Sequence, residues 1–223
     1  MELAEIKAGL TNPDFQYRLK AIAALKVYDP DTAVPILIAT LKDPEFLVRS
    51  FVARGLGQQQ AAESFAALLE MTKFDDTPNV RGEAANSLSL FGKVSISHLV
   101  SAFCQDDHWL VRRSILAALE ELDCPGELIE VCTQALAGDD LTVQEAAIDS
   151  LSSLTGSSHH KAVLTQLLTI TQAPSPRLRA RVAHALQKFD DPQAQEALIE
   201  LRQDADHHVV AAALEDLFQQ SGS

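Results

Sequence analysis

The sequence predicts an all-α fold, a right-handed α-solenoid of about seven helical hairpins that forms one domain over residues 1–223. Three observations predict it. Arginine recurs inside one apolar frame, the frame returns every 31 to 35 residues, and no segment alternates with strand periodicity. Self-similarity with a period of about 20–50 residues indicates an array of stacked repeats. The predicted core therefore follows the chain instead of surrounding one centre.

The repeated frame is an apolar residue just before the arginine, with apolar residues four and eight places later on the same helix face. The seven copies are Tyr17/Ala21/Leu25, Val48/Val52/Leu56, Val80/Ala84/Leu88, Val111/Ile115/Leu119, Val143/Ala147/Leu151, Leu178/Val182/Leu186 and Val209/Ala213/Leu217. The arginines are Arg18, Arg49, Arg81, Arg112 and Arg179, with Gln144 and Val210 in the two remaining copies. Each stripe predicts one face of a buried helix.

Each repeat is predicted to contain two helices. The second helix carries the stripe, and we expect it to begin at an acid: Asp43 would cap it and Pro44 would take its first position. The pairs Asp75-Asp76 and Asp106-Asp107 offer similar starts. The first helix follows turn residues such as Asp29-Pro30, Cys124-Pro125 and Asp191-Pro192.

Composition restricts the class of protein. Hydrophobic residues make up 47% and aromatic residues 5%, which suits closely packed helices, and no apolar run reaches the roughly 20 residues that span a bilayer. Three cysteines without CxxC spacing and the lack of a signal segment favour a soluble, cytoplasmic protein. A net charge of −13 disfavours nucleic acid and anionic membranes, and it favours a protein partner with a basic patch.

The repeats resemble HEAT-like repeats of the short variant named after cyanobacterial phycobilisome lyases. The motif D-x-x-x-x-V-R-x-x-A-x-x-x-L carries the resemblance over essentially the whole chain. Its clearest copies are Asp43/Val48/Arg49/Val52/Leu56, Asp75/Val80/Arg81/Ala84/Leu88 and Asp106/Val111/Arg112/Ile115/Leu119. The motif is specific for the fold and weak for function, because repeat folds serve many binding tasks.

The arginine and the acid six residues before it are expected to join neighbouring repeats. Arginine suits partly buried, two-pronged pairing with a carboxylate, so we expect a structural ladder more than a site for an acidic ligand. The ladder is incomplete in the sequence: Gly138 and Gln144 replace both members in repeat five, and Ala173 replaces the acid in repeat six.

The second helices are expected to present the partner-binding surface, at positions two and six after the first stripe residue and beside them. The candidates are Phe51, Arg54, Asn86, Trp109, Arg113, Glu120, Glu145 and Asp149. No Lys or Arg occurs between Ser114 and His160, an interval with nine carboxylates, which favours encounter with a basic partner or simple solubility. An ordinary solvated helix face is the alternative for each residue.

Two apolar features have a packing and a binding interpretation. Trp109 occupies the slot of Phe15 and Phe46 at the start of a second helix, so it either packs at the repeat edge or anchors a partner. On the last helix, Val210, Leu214 and Phe218 form a second apolar stripe, which either the fold covers or another chain covers.

No motif predicts catalysis or a metal. The sequence lacks G-x-G-x-x-G, P-loop, G-x-S-x-G and H-E-x-x-H patterns. Cys104 and His108 are four residues apart, but with Cys124 and Cys132 they match no standard zinc spacing. We therefore expect no catalytic residues and no metal, and free cysteines packed in helices.

The sequence favours a non-catalytic adaptor that presents a solenoid surface to proteins and carries no cofactor. The resemblance implies the cytoplasm of a phototroph and service to phycobilisome or iron–sulfur assembly proteins. The alternative that it implies is a bilin lyase or isomerase, or a phycobilisome-degradation subunit, that binds a phycobilin. Such a tetrapyrrole site could use Trp109, Phe51, Glu83 and Glu120.

Overall fold

The computed structural model describes residues 1–215 in full and the helical backbone of residues 216–220. This described part contains fourteen α-helices, two short 3-10 turns and no β-strand. The helices are α1 Leu3–Leu10, α2 Phe15–Ala24, α3 Pro30–Ala39, α4 Phe46–Gln59, α5 Ala62–Phe74, α6 Pro78–Ser89, α7 Ile96–Gln105, α8 Trp109–Glu120, α9 Pro125–Ala137, α10 Leu141–Ser153, α11 His160–Ile170, α12 Pro176–Leu186, α13 Pro192–Leu201 and α14 His207–Gln220. The all-α class and the seven helical pairs are confirmed.

Proline and a capping acid start several of the first helices, as the sequence predicts. Asp29 caps α3 by accepting the backbone N–H of Thr32 at 2.9 Å, and Pro30 takes the first helical position. Asp191 caps α13 in the same way, with Pro192 following it. A proline costs nothing there because the first backbone N–H groups of a helix have no partner within the helix.

The prediction that Asp43 caps the second helix of its repeat is wrong by two residues. The helix begins at Phe46, its N-cap is Glu45, and Pro44 lies outside it. Asp43 Oδ1 instead accepts the backbone N–H of Glu45 at 2.9 Å, in an Asx turn before the helix. The turn uses one acceptor site of Oδ1, so both carboxylate oxygens can still accept from a neighbouring repeat.

The chain divides into two compact units, Met1–Asp123 and Cys124–Ser223. In the first, called unit 1, the even-numbered helices α2, α4, α6 and α8 pack in succession, and each also packs on the odd-numbered helix before it. In the second, called unit 2, α10, α12 and α14 pack in the same manner, with α9, α11 and α13 beside them. The single domain over residues 1–223 stays a prediction.

The apolar stripes form the cores of both units. Their members in residues 1–215 are at most 4% exposed, with one exception. Tyr17, the first residue of the first stripe, is 53% exposed, so its assignment to the core is wrong. The reason is the side chain: a buried tyrosine would need a hydrogen-bond partner for its hydroxyl, and the Tyr17 ring instead lies at the surface, its centre 5.3 Å from the ammonium nitrogen of Lys20. Leu217 lies outside the residues whose side chains are described.

Candidate functional site

Four of the five stripe arginines form the predicted ladder between successive repeats. In each rung the arginine Nε lies 2.6 to 2.8 Å from Oδ2 of an aspartate in the next repeat. A second bond joins Nη2 to Oδ1 of the same carboxylate, so each pair is bidentate. The rungs are Arg18 with Asp43, Arg49 with Asp75, Arg81 with Asp106, and Arg179 with Asp204. These guanidinium groups are therefore already engaged within the fold.

Two rungs stabilise the charged form of both members. The hydrogen bond from Arg179 holds the pKa of Asp204 below its usual value. Burial by itself would raise the pKa of Asp75, but the hydrogen bond from Arg49 and the neighbouring backbone N–H outweigh it, and the net shift is downward. The carboxylates in turn raise the pKa of Arg49 and Arg179. These two pairs stay ionised at neutral pH.

The stripe arginine has a second task that the sequence did not reveal. Nη1 of Arg49 donates to the carbonyl of Asp43, six residues before it, at 2.9 Å. Arg179 makes the same bond to Ala173 at 2.8 Å. Gln144 keeps this bond, because its Nε2 donates to the carbonyl of Gly138 at 2.8 Å. Repeat five therefore retains the bond within the repeat and lacks the ionic rung, which would need an acid where Ala173 stands.

A different set of ion pairs links α10 to α12, where this rung is missing. Arg177 Nη2 lies 2.8 and 2.9 Å from the two carboxylate oxygens of Glu145. One turn further along each helix, Arg181 Nη1 pairs with Asp149. The next turn of α12 carries His184, whose Nδ1 lies 3.1 Å from Oε2 of Glu215 on α14.

The basic side chains form one stripe along α12. Arg177, Arg181, His184 and, just after the helix, Lys188 are spaced by four, three and four residues. This spacing places them on one face. The stripe lies in the open groove between α10 and α12, which extends to the start of α14 and has a volume of about 690 Å³.

Charge is distributed unevenly around this groove. Unit 2 contains six Lys or Arg and fourteen Asp or Glu. Three of the six cations line the groove, against three of the fourteen carboxylates. The lining cations are Arg177, Arg181 and Lys188, and the lining carboxylates are Glu145, Asp149 and Asp206. The groove is therefore less negative than the rest of the unit.

The two predicted binding residues of unit 2 both line this groove, but neither is an unpaired acid. The Glu145 side chain is only 10% exposed and lies beneath Arg177, so the prediction that it faces outward is wrong. Asp149 is 58% exposed and pairs with Arg181. The long interval without Lys or Arg in the sequence is thus neutralised at these two points by arginines 32 residues further along the chain.

The other six predicted residues belong to unit 1. Arg54 Nε binds Glu83 at 2.8 Å, and its guanidinium lies 5.3 Å from the centre of the Phe51 ring. Asn86 and Arg113 are exposed on α6 and α8. Trp109 and Glu120 are exposed as the first and last residues of α8. Each unit therefore holds its own candidate surface, and the predicted row falls into two parts.

The outward positions of the repeats also include a close packing contact. Gly82, at the second position after its stripe residue, is buried instead of exposed as predicted. A Cβ at this glycine would lie 2.9 Å from Oγ of Ser114 and 3.0 Å from a methyl group of Leu110. A small residue is needed there because α6 and α8 approach closely, so this point offers no binding side chain.

One cluster of potential metal ligands occurs among the described residues: Asp206, His207 and His208 at the start of α14, with ligand atoms within 4.8 Å of one another. Both histidines are exposed. Of the three cysteines that were expected to pack in helices, Cys124 and Cys132 are buried as predicted, and Cys104 is exposed, so the prediction is wrong for that residue.

Two further features concern membranes and the last helix. Among the described helices, none is both long and apolar enough to cross a bilayer. Val210 and Leu214 of the predicted C-terminal stripe are half-buried. Phe218 lies outside the residues whose side chains are described, so association through this stripe stays a prediction.

The paired and successively packed helices define an α-helical repeat protein. Residues 3–89, 40–120 and 129–217 match the family model of HEAT repeats. The chain belongs to the HEAT repeat family, as its repeated motif predicted.

One curated relative and several solved structures are similar to the chain. Over 125 residues it is 27% identical to deoxyhypusine hydroxylase of Schizosaccharomyces pombe; the match covers 55% of this chain and 39% of that protein. The chain thus matches well under half of that relative's length. YibA of Escherichia coli has a TM-score of 0.54 at 16% identity, covering 97% of this chain and 92% of YibA.

Two solved structures with a similar fold are complexes. The CpcE and CpcF complex of phycocyanin lyase from Nostoc gives a TM-score of 0.52 at 20% identity, covering 99% of this chain and 89% of that one. Kap95p bound to RanGDP gives 0.62 at 14% identity, covering 95% of this chain and 34% of Kap95p. At these identities the likeness establishes the fold of helical repeats.

Proposed function

We propose that this HEAT repeat protein is a non-catalytic adaptor that binds another protein through the groove between α10 and α12. The observation that carries the proposal is the groove itself, about 690 Å³ in volume and lined by charged side chains from two helices. Ion pairs between Glu145 and Arg177 and between Asp149 and Arg181 hold these four side chains, so they lose less entropy when a partner binds.

The fold of the neighbours supports a role in complexes. Kap95p binds RanGDP, and CpcE assembles with CpcF. The groove of this chain combines charged and small residues without an enclosed apolar pocket, which fits a protein surface better than a small metabolite. The resemblance to phycobilisome-lyase repeats makes phycobilisome proteins and iron–sulfur assembly proteins the first partners to test. A cytoplasmic location stays a prediction.

A quantitative co-purification tests the adaptor proposal. The bait is the full chain, as wild type and with Glu145→Gln and Arg177→Gln together, which changes the groove without leaving either charge buried alone. The matched control changes two exposed residues outside the groove, Lys7→Gln and Lys161→Gln. Circular dichroism verifies that all three proteins are folded.

The proposal expects one partner that wild type and control retain in stoichiometric amount. The groove variant should bind this partner at least about tenfold more weakly, which is equivalent to about 1.4 kcal/mol of binding free energy. Equal retention by the groove variant would place the binding surface elsewhere on the chain and refute the proposal.

A further inference from the structure

We infer that the groove between α10 and α12 binds an extended acidic segment of the partner, with carboxylates at alternate positions. This inference names the class of segment that the proposed adaptor would hold, and it rests on that proposal. It differs from the basic partner that the acidic interval of the sequence predicted.

The first argument is the number of donors that the groove leaves unused. Both oxygens of Glu145 approach a single nitrogen of Arg177, Nη2, and the Arg177 side chain is still 67% exposed. Among the described residues, its Nε and Nη1 have no partner. Arg181 uses Nη1 for Asp149 and is 38% exposed. Lys188 is exposed, and within residues 1–215 its ammonium group pairs with no side chain.

The acceptors of the groove are fewer than its donors and partly used. Glu145 is 10% exposed and has both oxygens at Arg177. Asp149 pairs through Oδ2 with Arg181, and Oδ1 of Asp206 accepts the backbone N–H of His208 at 2.8 Å and faces its ring nitrogen at 3.2 Å. Because the unused N–H groups of the two arginines and Lys188 outnumber the unused carboxylate oxygens, the groove favours a ligand rich in acceptors, and carboxylates are acceptors that guanidinium groups bind with two parallel bonds.

The second argument is spacing. Along α12, Arg177 and Arg181 are separated by about 6 Å, and Lys188 lies about 10 Å further on, at about 1.5 Å per residue. In an extended peptide, alternate side chains on one face are about 6.6 Å apart. Two alternate carboxylates therefore match the two arginines, and a third falls between the positions of His184 and Lys188. A segment of about five residues spans the stripe.

The third argument separates a short acidic segment from a nucleic acid. Carboxylates at alternate positions place negative charge only along the cationic stripe. A nucleic acid strand carries a phosphate at every nucleotide and would extend past the stripe, over a unit with fourteen Asp or Glu against six Lys or Arg. Binding of such a strand requires a continuous basic surface.

Fluorescence anisotropy with labelled peptides tests the inference on the full chain at low salt. The probes are an alternating Glu-Ser octapeptide, a blocked octapeptide of the same composition, an alternating Lys-Ser octapeptide and an oligouridylate. The alternating Glu-Ser peptide should bind at least about tenfold more tightly than the blocked one and should weaken with added salt. The Lys-Ser peptide and the oligouridylate should bind more weakly still.

Two variants locate the binding. Lys188→Gln changes an exposed ammonium group without a partner in the described part and should weaken the Glu-Ser peptide several-fold. Asp149→Asn with Arg181→Gln removes one ion pair whole and should weaken it further. The control Lys161→Gln, also in unit 2 but outside the groove, should bind as wild type does. Equal affinity for alternating and blocked peptides, tighter binding of the oligouridylate, or unchanged binding by both groove variants would each overturn the inference.

These results are distinguishable from those that test the adaptor proposal. If a co-purified partner depends on Arg177 but no acidic peptide binds, the adaptor proposal stands and the acidic segment is wrong. If acidic peptides bind in the groove but the partner is retained by the groove variant, the adaptor proposal fails at this surface and the peptide preference stands.

Discussion

The buried rung formed by Arg81 and Asp106 should contribute far more stability than an exposed ion pair. The two side chains are 15% and 11% exposed, and their bonds measure 2.6 and 3.2 Å. Asp106→Asn removes the negative charge and keeps an oxygen for the backbone N–H of His108, which Asp106 accepts at 2.9 Å. Removing one partner of a buried pair costs about 3–5 kcal/mol. Because the pair is partly exposed and Asp106→Asn keeps the Asx turn, the expected loss in the free energy of unfolding is about 2–3 kcal/mol.

The chain supplies its own probe for this measurement. Trp109 is the single tryptophan and lies three residues after Asp106, so urea titrations followed by its fluorescence report the unfolding of unit 1. Arg81→Gln should keep a donor for the carbonyl of Asp75, as Gln144 does in its own repeat. The double variant should therefore lose about 1–2 kcal/mol less than the sum of the single losses.

The matched control is the exposed pair between Arg54 and Glu83 in the same unit. The Arg54 side chain is 53% exposed, so Arg54→Gln should cost less than about 1 kcal/mol. If Asp106→Asn lowers the free energy of unfolding no more than Arg54→Gln does, the reasoning about the buried ladder is refuted.

Three other predictions follow from the structure. Arg179 lowers the pKa of Asp204 in the folded protein. Asp204 therefore stabilises unit 2 at pH values above 3.8, its pKa in the unfolded chain, and this contribution is lost as the pH falls through the folded pKa. The difference in free energy of unfolding between wild type and Asp204→Asn, measured in denaturant melts, should therefore narrow below pH 3.8. A difference that stays constant with pH would contradict this prediction. Gly57→Ala should destabilise by about 1–3 kcal/mol, because its Cβ would lie 2.8 Å from that of Ser87, whereas Gly126→Ala, in open space, should stabilise by up to about 1 kcal/mol in thermal melts. Free bilin added to the protein should leave its visible absorbance unchanged, because Arg54 already pairs with the carboxylate of Glu83 and lies over the ring of Phe51, two residues of the tetrapyrrole site that the sequence suggested. A shifted, intensified band would favour the bilin alternative.

The fold was predictable because its signal repeats. The period of the arginine frame gives the number of helical pairs, and the spacing of four and eight residues gives the buried face of each even-numbered helix. Tyr17 shows where this reasoning ends. Its stripe position is the same as that of Val48, but a tyrosine has a hydroxyl that needs a partner when it is buried, and Tyr17 lies at the surface beside Lys20. The period of a sequence gives the position of a residue and not the fit of its side chain.

The candidate site was predictable only in part. Glu145 and Asp149 were found as outward positions two and six residues after Val143, and the acidic interval around them predicted an unpaired acidic face. The arginines that pair with them are 32 residues away in sequence, which is about one repeat. A signal for the α12 stripe was present in the spacing of Arg177, Arg181, His184 and Lys188. His184 and Arg181 lie at or beside the predicted outward positions, but Arg177 and Lys188 do not, so the four residues were not recognised as one stripe.

The missing rung and the groove are connected. In unit 1 the ion pairs that join even-numbered helices are mostly buried in the ladder. The exposed pair of Arg54 and Glu83 can therefore be substituted with a small loss of folding stability. Between α10 and α12 the ladder is absent, and the pairs that replace it, such as Arg177 with Glu145, are themselves the lining of the groove. A ligand that binds the unused N–H groups of Arg177 leaves its bond to Glu145 in place. Because such a ligand binds only the folded unit, it should raise the free energy of unfolding of unit 2 by RT ln(1 + [L]/Kd), and the denaturation midpoint should rise with the logarithm of the ligand concentration.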